Sequence, residues 1–157
     1  MADLIIEDLS HVPKWRVFAG SNVRPGTSTG MEGELVWSVS PDEWTILGTR
    51  PQGDVVDLTH VRSMFRLTGA RAADLLNRIC ALDFSDGMFP SGSAGRTLVA
   101  GVVTELIRDD VDGVPSYLIL PSSSFGRYLW GAIEDAGAEF GLELDRPSGG
   151  ASIDELA

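Results

Sequence analysis

Beyond residue 34 the hydrophobic and polar positions of this chain change period several times, and each change marks an element. Residues 34–39 partly alternate and are rich in strand-forming side chains, as are residues 43–48. The Pro41-Asp42 turn between them predicts a β-hairpin. After a break at residues 50–53, a third extended run covers residues 55–67, with Phe65 and Leu67 alternating against Met64 and Arg66. Gly69 then opens a helix in which Ala72, Leu75, Leu76 and Ile79 share one face at helical spacing. Residues 83–96, holding Pro90 and several Ser and Gly, read as a long loop, and residues 97–107 as one strand dense in Val and Leu. Asp112-Gly113 turns the chain into a strand at 116–120. Pro121 stops it, and Ser122 or Ser123 is placed to N-cap a second helix with Phe125, Tyr128, Leu129, Ala132 and Ile133 on its apolar face. Gly137 ends that helix, and residues 138–144 return as a strand.

From residue 62 the predicted order is strand, helix, strand, strand, helix, strand. That is a ferredoxin-like β-α-β-β-α-β pattern: an α+β fold with an antiparallel sheet, both helices on one face, and an additional N-terminal β-hairpin. The expected organisation is an extended N-terminal arm over residues 1–32, an α+β domain over 33–145, and a flexible acidic tail over 146–157. The arm carries Pro13, Gly20, Pro25, Gly26 and Gly30 without a sustained period, and Trp15, Val17 and Phe18 are its apolar anchors on a partner.

Charge narrows the function classes. A net charge of −11 opposes binding to nucleic acid or to an anionic membrane surface, and the single lysine, Lys14, among twelve cations reads as a composition bias without chemical meaning. The lone Cys80 allows no intrachain disulfide and reads as a small buried hydrophobe. Without a basic start and apolar run at the N-terminus, or any stretch long enough to span a bilayer, the expected location is cytoplasmic.

The candidate chemistry is thin. Asp57 and His60 fall on opposite sides of a strand, so a catalytic pair is not expected, and His11 has no nearby ligand with which to hold a metal. Residues 91–95 (SGSAG) offer backbone N–H groups to an anion but do not lead into a helix, so a tight-turned loop is the better reading. The candidate partner interface is Trp15, Phe18, Trp44 and Trp130, since large aromatic side chains dominate protein contacts. No catalytic, cofactor-binding or metal-binding residue is assigned to this chain.

Several segments taken in order resemble the gamma subunit of heterotetrameric sarcosine oxidase, built on the folate-binding fold shared with the glycine-cleavage T-protein. They are residues 37–44, with Pro41-Asp42-Glu43-Trp44; residues 56–60 (VDLTH); residues 67–76 (LTGARAADLL); residues 89–93 (FPSGS) before Arg96-Thr97; and residues 124–130 (SFGRYLW). T-protein relatives carry a paired acidic motif on a strand after the Pro-Gly loop, and the first Asp serves folate-dependent aminomethyl chemistry. Here residues 101–107 read GVVTELI, so Thr104 stands in place of that Asp and Glu105 points to the other face of the strand. A neutral hydroxyl can neither hold a charge against a developing cation nor act as a base near neutral pH.

The resemblance implies a noncatalytic gamma-type subunit of a flavoenzyme complex that oxidatively demethylates an N-methyl amine such as sarcosine. FAD, FMN, NAD, tetrahydrofolate and zinc would sit on the other subunits, and the larger flavin- and folate-binding subunits would be its partners. The alternatives are a stand-alone small folate-binding or aminomethyltransferase-like protein, and a generic regulatory module of ferredoxin-like fold.

Overall fold

The computed structural model describes residues 3–18, 23–31 and 33–145; the expected acidic tail lies outside the described residues. Among the described residues, eleven strands form two sheets, and two α-helices cover one of them. The strands are β1 (Leu4–Asp8), β2 (Lys14–Val17), β3 (Thr27–Met31), β4 (Glu34–Ser38), β5 (Trp44–Leu47), β6 (Val55–Asp57), β7 (Phe65–Gly69), β8 (Ala94–Val99), β9 (Val102–Arg108), β10 (Ser116–Pro121) and β11 (Glu143–Asp145). The helices are α1 (Ala72–Ile79) and α2 (Gly126–Gly137).

The six-stranded sheet has the order β11-β1-β7-β10-β9-β8, and the five-stranded sheet the order β3-β4-β5-β2-β6. The fold is therefore mixed α+β, but the expected four-strand ferredoxin-like order is interrupted. β1 lies between β7 and β11, antiparallel to the first and parallel to the second. Leu4 and Ile6 of β1 are fully buried among Phe65, Leu67, Leu75 and Leu129. This overturns the expectation of an extended arm over residues 1–32, whose described residues supply β1, β2 and β3 to the two sheets. The apolar positions of β1 and β2 are too few, and too broken by turns, to show a period, yet each strand is completed by neighbours distant in sequence.

Two further boundaries move. The run 97–107 is a hairpin of β8 and β9, turning at Ala100 and Gly101, both at positive φ (49° and 82°). That left-handed pair matches the tight two-residue turn favoured between twisted strands, and it hides inside an apolar run. The run 55–67 divides between the sheets, β6 in one and β7 in the other. Gly69 does not open the helix; it ends β7 at φ 151°, where a Cβ would overlap the Asp3 carbonyl oxygen. Only glycine lets β1 and β7 approach this closely.

Helix α1 buries Ala72, Leu75 and Leu76 as its spacing predicts. Helix α2 buries Leu129 and Ile133 of its expected face, but the face is rotated. Gly126, Leu129, Ile133 and Gly137 are buried, whereas Phe125 and Tyr128 are exposed. Gly126 packs over Ser63 with no room for a side chain, which draws that edge of the helix onto the sheet. The expected closing strand shrinks to β11, because a 3₁₀ turn over Ala138–Phe140 prolongs the helical path. The 34–48 hairpin forms as β4 and β5, with Val36 opposite Ile46 and Trp37 opposite Thr45.

Three layers result. Between the helices and the six-stranded sheet lies the main core, including Leu4, Phe65, Leu106, Tyr117 and Ile119. Between the two sheets lies a second core of Trp37, Met64, Ile107, Leu118 and Leu120. Alternation along β9 therefore sends Thr104 and Leu106 towards the helices and Glu105 and Ile107 towards the second sheet.

Candidate functional site

Position 104, where the resemblance to the T-protein implies an acid, is sealed. Thr104 is fully buried, and its hydroxyl donates to the Val102 carbonyl on its own strand at 2.9 Å. Tetrahydrofolate, which the fold implies, does not fit here: the side chain has neither the charge to meet a cationic one-carbon unit nor any access to one.

The neighbouring residue makes the most charged arrangement among the described residues. Glu105, 1% exposed, faces the space between the sheets and accepts two hydrogen bonds from Arg16 Nη2, at 3.0 and 2.8 Å. Arg62 and Arg96 approach the same carboxylate to 4.0 and 3.9 Å. Arg16 projects inward from β2 and is also held by Thr45 Oγ1 on β5, while Glu43 meets Arg96 at 3.4 Å and Arg16 at 4.0 Å. Three guanidiniums thus face two carboxylates, leaving one net positive charge on a strongly acidic chain. Burial works against the Glu43 carboxylate, but a hydrogen bond from Ser40 and the charges of Arg16 and Arg96 hold its pKa below the usual range. Burial lowers the pKa of Arg62 against the pull of Glu105, and Arg16 and Arg96 lower it further.

Sequence reasoning placed Glu105 on the face opposite Thr104 but did not identify this network. A signal was present: one acid within the apolar run 102–107, and one arginine between Trp15 and Val17. A charge at such a position is either solvated at an edge or paired inside. Which partners converge on it depends on strands far apart in sequence.

The other candidates dissolve into structure. Asp57 Oδ1 accepts the Thr59 N–H at 2.9 Å, and hydrogen bonds from Thr59 hold its pKa below the usual range; His60 is exposed beyond it. In the loop at residues 91–95, the backbone N–H groups of Gly92, Ser93 and Ala94 donate to Arg108, Pro90 and Gly26 carbonyls, so none of the three is left to cradle an anion. Cys80 is buried at the end of α1. Lys14 is fully buried, and its ammonium donates to the carbonyls of Ser10, Val12 and Thr59 at 2.8, 3.0 and 3.2 Å.

The four candidate interface residues do not converge. Trp15 and Trp44 lie half-buried on the outer face of the five-stranded sheet, against Val23, Val36 and Ile46. Trp15 Nε1 donates to the Gly48 carbonyl at 3.0 Å, with Arg50 above the ring. Phe18, directly after β2, is exposed. Trp130 lies in another layer, half-buried with its ring edge-on to Phe65 at 5.1 Å, and lines a shallow depression with Asp8, Ser63 and Arg127.

No described helix is long and apolar enough to cross a membrane. No family model matches the chain. The sarcosine oxidase subunit gamma of Corynebacterium sp. (strain P-1) is 30% identical over 128 residues, a match covering 72% of this chain and 61% of that protein. The chain therefore spans about three-fifths of the length of this curated relative. A chain of the heterotetrameric sarcosine oxidase from Corynebacterium sp. U-96 has the same fold, with a TM-score of 0.75 at 22% identity over 88% of this chain and 85% of that one. The glycine cleavage system aminomethyltransferase T from Bartonella henselae superposes with a TM-score of 0.68 at 13% identity, covering 91% of this chain and 48% of the larger protein. By sequence this chain is a relative of the sarcosine oxidase gamma subunit, and by architecture it carries a fold found in a chain of heterotetrameric sarcosine oxidase and in aminomethyltransferase T.

Proposed function

We propose that this chain is a noncatalytic gamma-type subunit of a sarcosine-oxidase-like flavoenzyme complex. In this reading the complex oxidatively demethylates an N-methyl amine, sarcosine or a close analogue, and passes the one-carbon unit to tetrahydrofolate on a partner subunit. FAD, FMN, NAD and zinc likewise belong to the partners, and the assembly is soluble and cytoplasmic. The observation that carries the reading is the sealed hydroxyl of Thr104 in a chain related to the gamma subunit. The fold is retained, while the acid that aminomethyl transfer needs is replaced and its position lies inside the core. Trp15, Trp44, Phe18 and Trp130 remain the proposed aromatic contacts, and exposed Phe18 is the most accessible of them.

Co-expression with the larger oxidase subunits, followed by purification through a tag on this chain, tests the assignment. A stable flavin-bearing complex is expected, and a chain that purifies alone as a monomer beside soluble partners overturns it. Calorimetric titration of the isolated chain with tetrahydrofolate separates the stand-alone alternative. Saturable micromolar binding would favour a folate-binding protein over an assembly subunit.

A further inference from the structure

We propose that the open end of the space between the two sheets docks an acidic segment of a partner subunit. Arg62 and Arg96 receive its carboxylate, and Val61, Leu98 and Val103 receive the apolar side chains beside it. The inference deepens the subunit reading and rests on it.

Strand register places Arg96, Leu98 and Val103 on one surface, and Arg62 reaches it by approaching the same Glu105 carboxylate as Arg96. Arg96 pairs with Glu105 and Leu98 with Val103 across the β8–β9 hairpin, and residues two apart share a face. Along β9, Ile107 and Glu105 are covered by the second sheet, whereas Val103, the next residue on that face, is 54% exposed. Its cross-strand neighbour Leu98 is 57% exposed. Cover runs out because the outermost strand on that side, β6, is only three residues long, and its Val56, opposite Arg16, is itself exposed. Val61, 53% exposed, sits beside Arg62 in the chain. Exposed apolar side chains therefore border the arginine network on more than one side.

The network itself is short of anions. A guanidinium has five N–H donors. Among the described residues, Arg62 makes one long bond, 3.4 Å to the Leu120 carbonyl, and Arg96 makes one, 3.4 Å to Glu43. Neither comes closer than 3.9 Å to Glu105, which Arg16 already occupies. The side chain of Arg62 is only 19% exposed, so water solvates its charge incompletely. A further carboxylate would supply acceptors for both arginines and offset their mutual repulsion. On a chain of net charge −11 this positive spot also selects what can approach: acidic partner segments are repelled elsewhere and attracted here. The apolar rim matches a protein segment with a polar anchor and hydrophobic neighbours better than a free ion.

The test uses the full chain and the larger oxidase subunits, comparing wild type with Arg96→Gln and with Leu98→Asp, both at partly or largely exposed positions. The expected result is at least tenfold weaker association for each variant, with an unchanged melting temperature, and a wild-type affinity that falls steeply with salt. Wild-type assembly with both variants binding as tightly as wild type overturns the proposal alone. Failure of the wild-type chain to assemble overturns the subunit reading and the proposal with it. Should Arg96→Gln fail to fold, Leu98→Asp carries the same expectation on the same surface. Two titrations of the isolated chain separate other occupants. Submillimolar binding of glutarate, lost in Arg96→Gln, assigns the arginines to a small carboxylate. A concentration-dependent dimer lost in Leu98→Asp assigns the surface to a second copy. Either result overturns the partner role.

Discussion

Glu105 and Thr104 are neighbours on β9, yet they live in different electrostatic worlds. Glu105 balances a buried cation, and taking its charge away leaves Arg16 with 10% side-chain exposure and no full partner. Breaking one side of such a pair costs about 3–5 kcal/mol, whereas replacing both ions by well-packed apolar groups is far less costly. Glu105→Gln is therefore expected to destabilise the domain by about 3–5 kcal/mol in urea unfolding. The double change Arg16→Met with Glu105→Leu should recover much of that loss. Thr104→Asp tests the other face. Its carboxylate would lie in the main core beside Leu106, with no cation described on that side of the strand at this position. The expected outcome is a loss of about 3 kcal/mol or more and no aminomethyl transfer to tetrahydrofolate. Retained stability with measurable transfer would show that position 104 opens to substrate after all.

At the scale of elements, β1 changes the expected behaviour of the N-terminus. An arm that orders on a partner could be removed without harm to the domain. A strand paired on both sides, with Leu4 and Ile6 at zero exposure, cannot. Ile6→Ala is expected to cost about 2–5 kcal/mol through the cavity it leaves under the helices. Deleting residues 1–17 removes β1 and β2, opens the β7–β11 gap and takes away the Arg16 partner of Glu105, so cooperative unfolding should vanish in circular dichroism melts. A deletion variant that melts cooperatively near the wild-type temperature would refute this. The hairpin of β4 and β5 and the helix α1 were legible because hairpins and short amphipathic helices are local: their spacing and turn residues lie within one stretch of chain. The β8–β9 turn was not, since Ala100 adopts a left-handed conformation that alanine rarely signals.

Across the whole molecule, Lys14 joins segments that sequence separates: the turn after β1, the start of β2 and the turn after β6. Burial pulls its pKa from 10.5 down to about 8, while Asp57 and Asp8 pull it back up. Because the folded pKa is the lower one, the unfolded chain holds more protons between the two values, and stability rises with pH across that window. Denaturant midpoints are expected to increase from about pH 8 towards pH 10 and to lose that slope in Lys14→Met. A flat or falling profile in the wild type would mean that the three carbonyls keep the ammonium charged.

Much of the architecture follows from local patterning alone. The mixed α+β class, the hairpin of β4 and β5, the apolar face of α1, the Asp112-Gly113 turn and the neutral residue at position 104 are all carried by neighbouring residues. Tertiary structure decided what local patterning cannot encode. It chose which strand fills the gap between β7 and β11, which edge of α2 turns inward over Ser63, and how Arg16, Arg62 and Arg96 come to surround one glutamate. Each depends on pairing between segments tens of residues apart. The free energy of such pairings comes from burial and charge compensation that exist only once both sheets are in place.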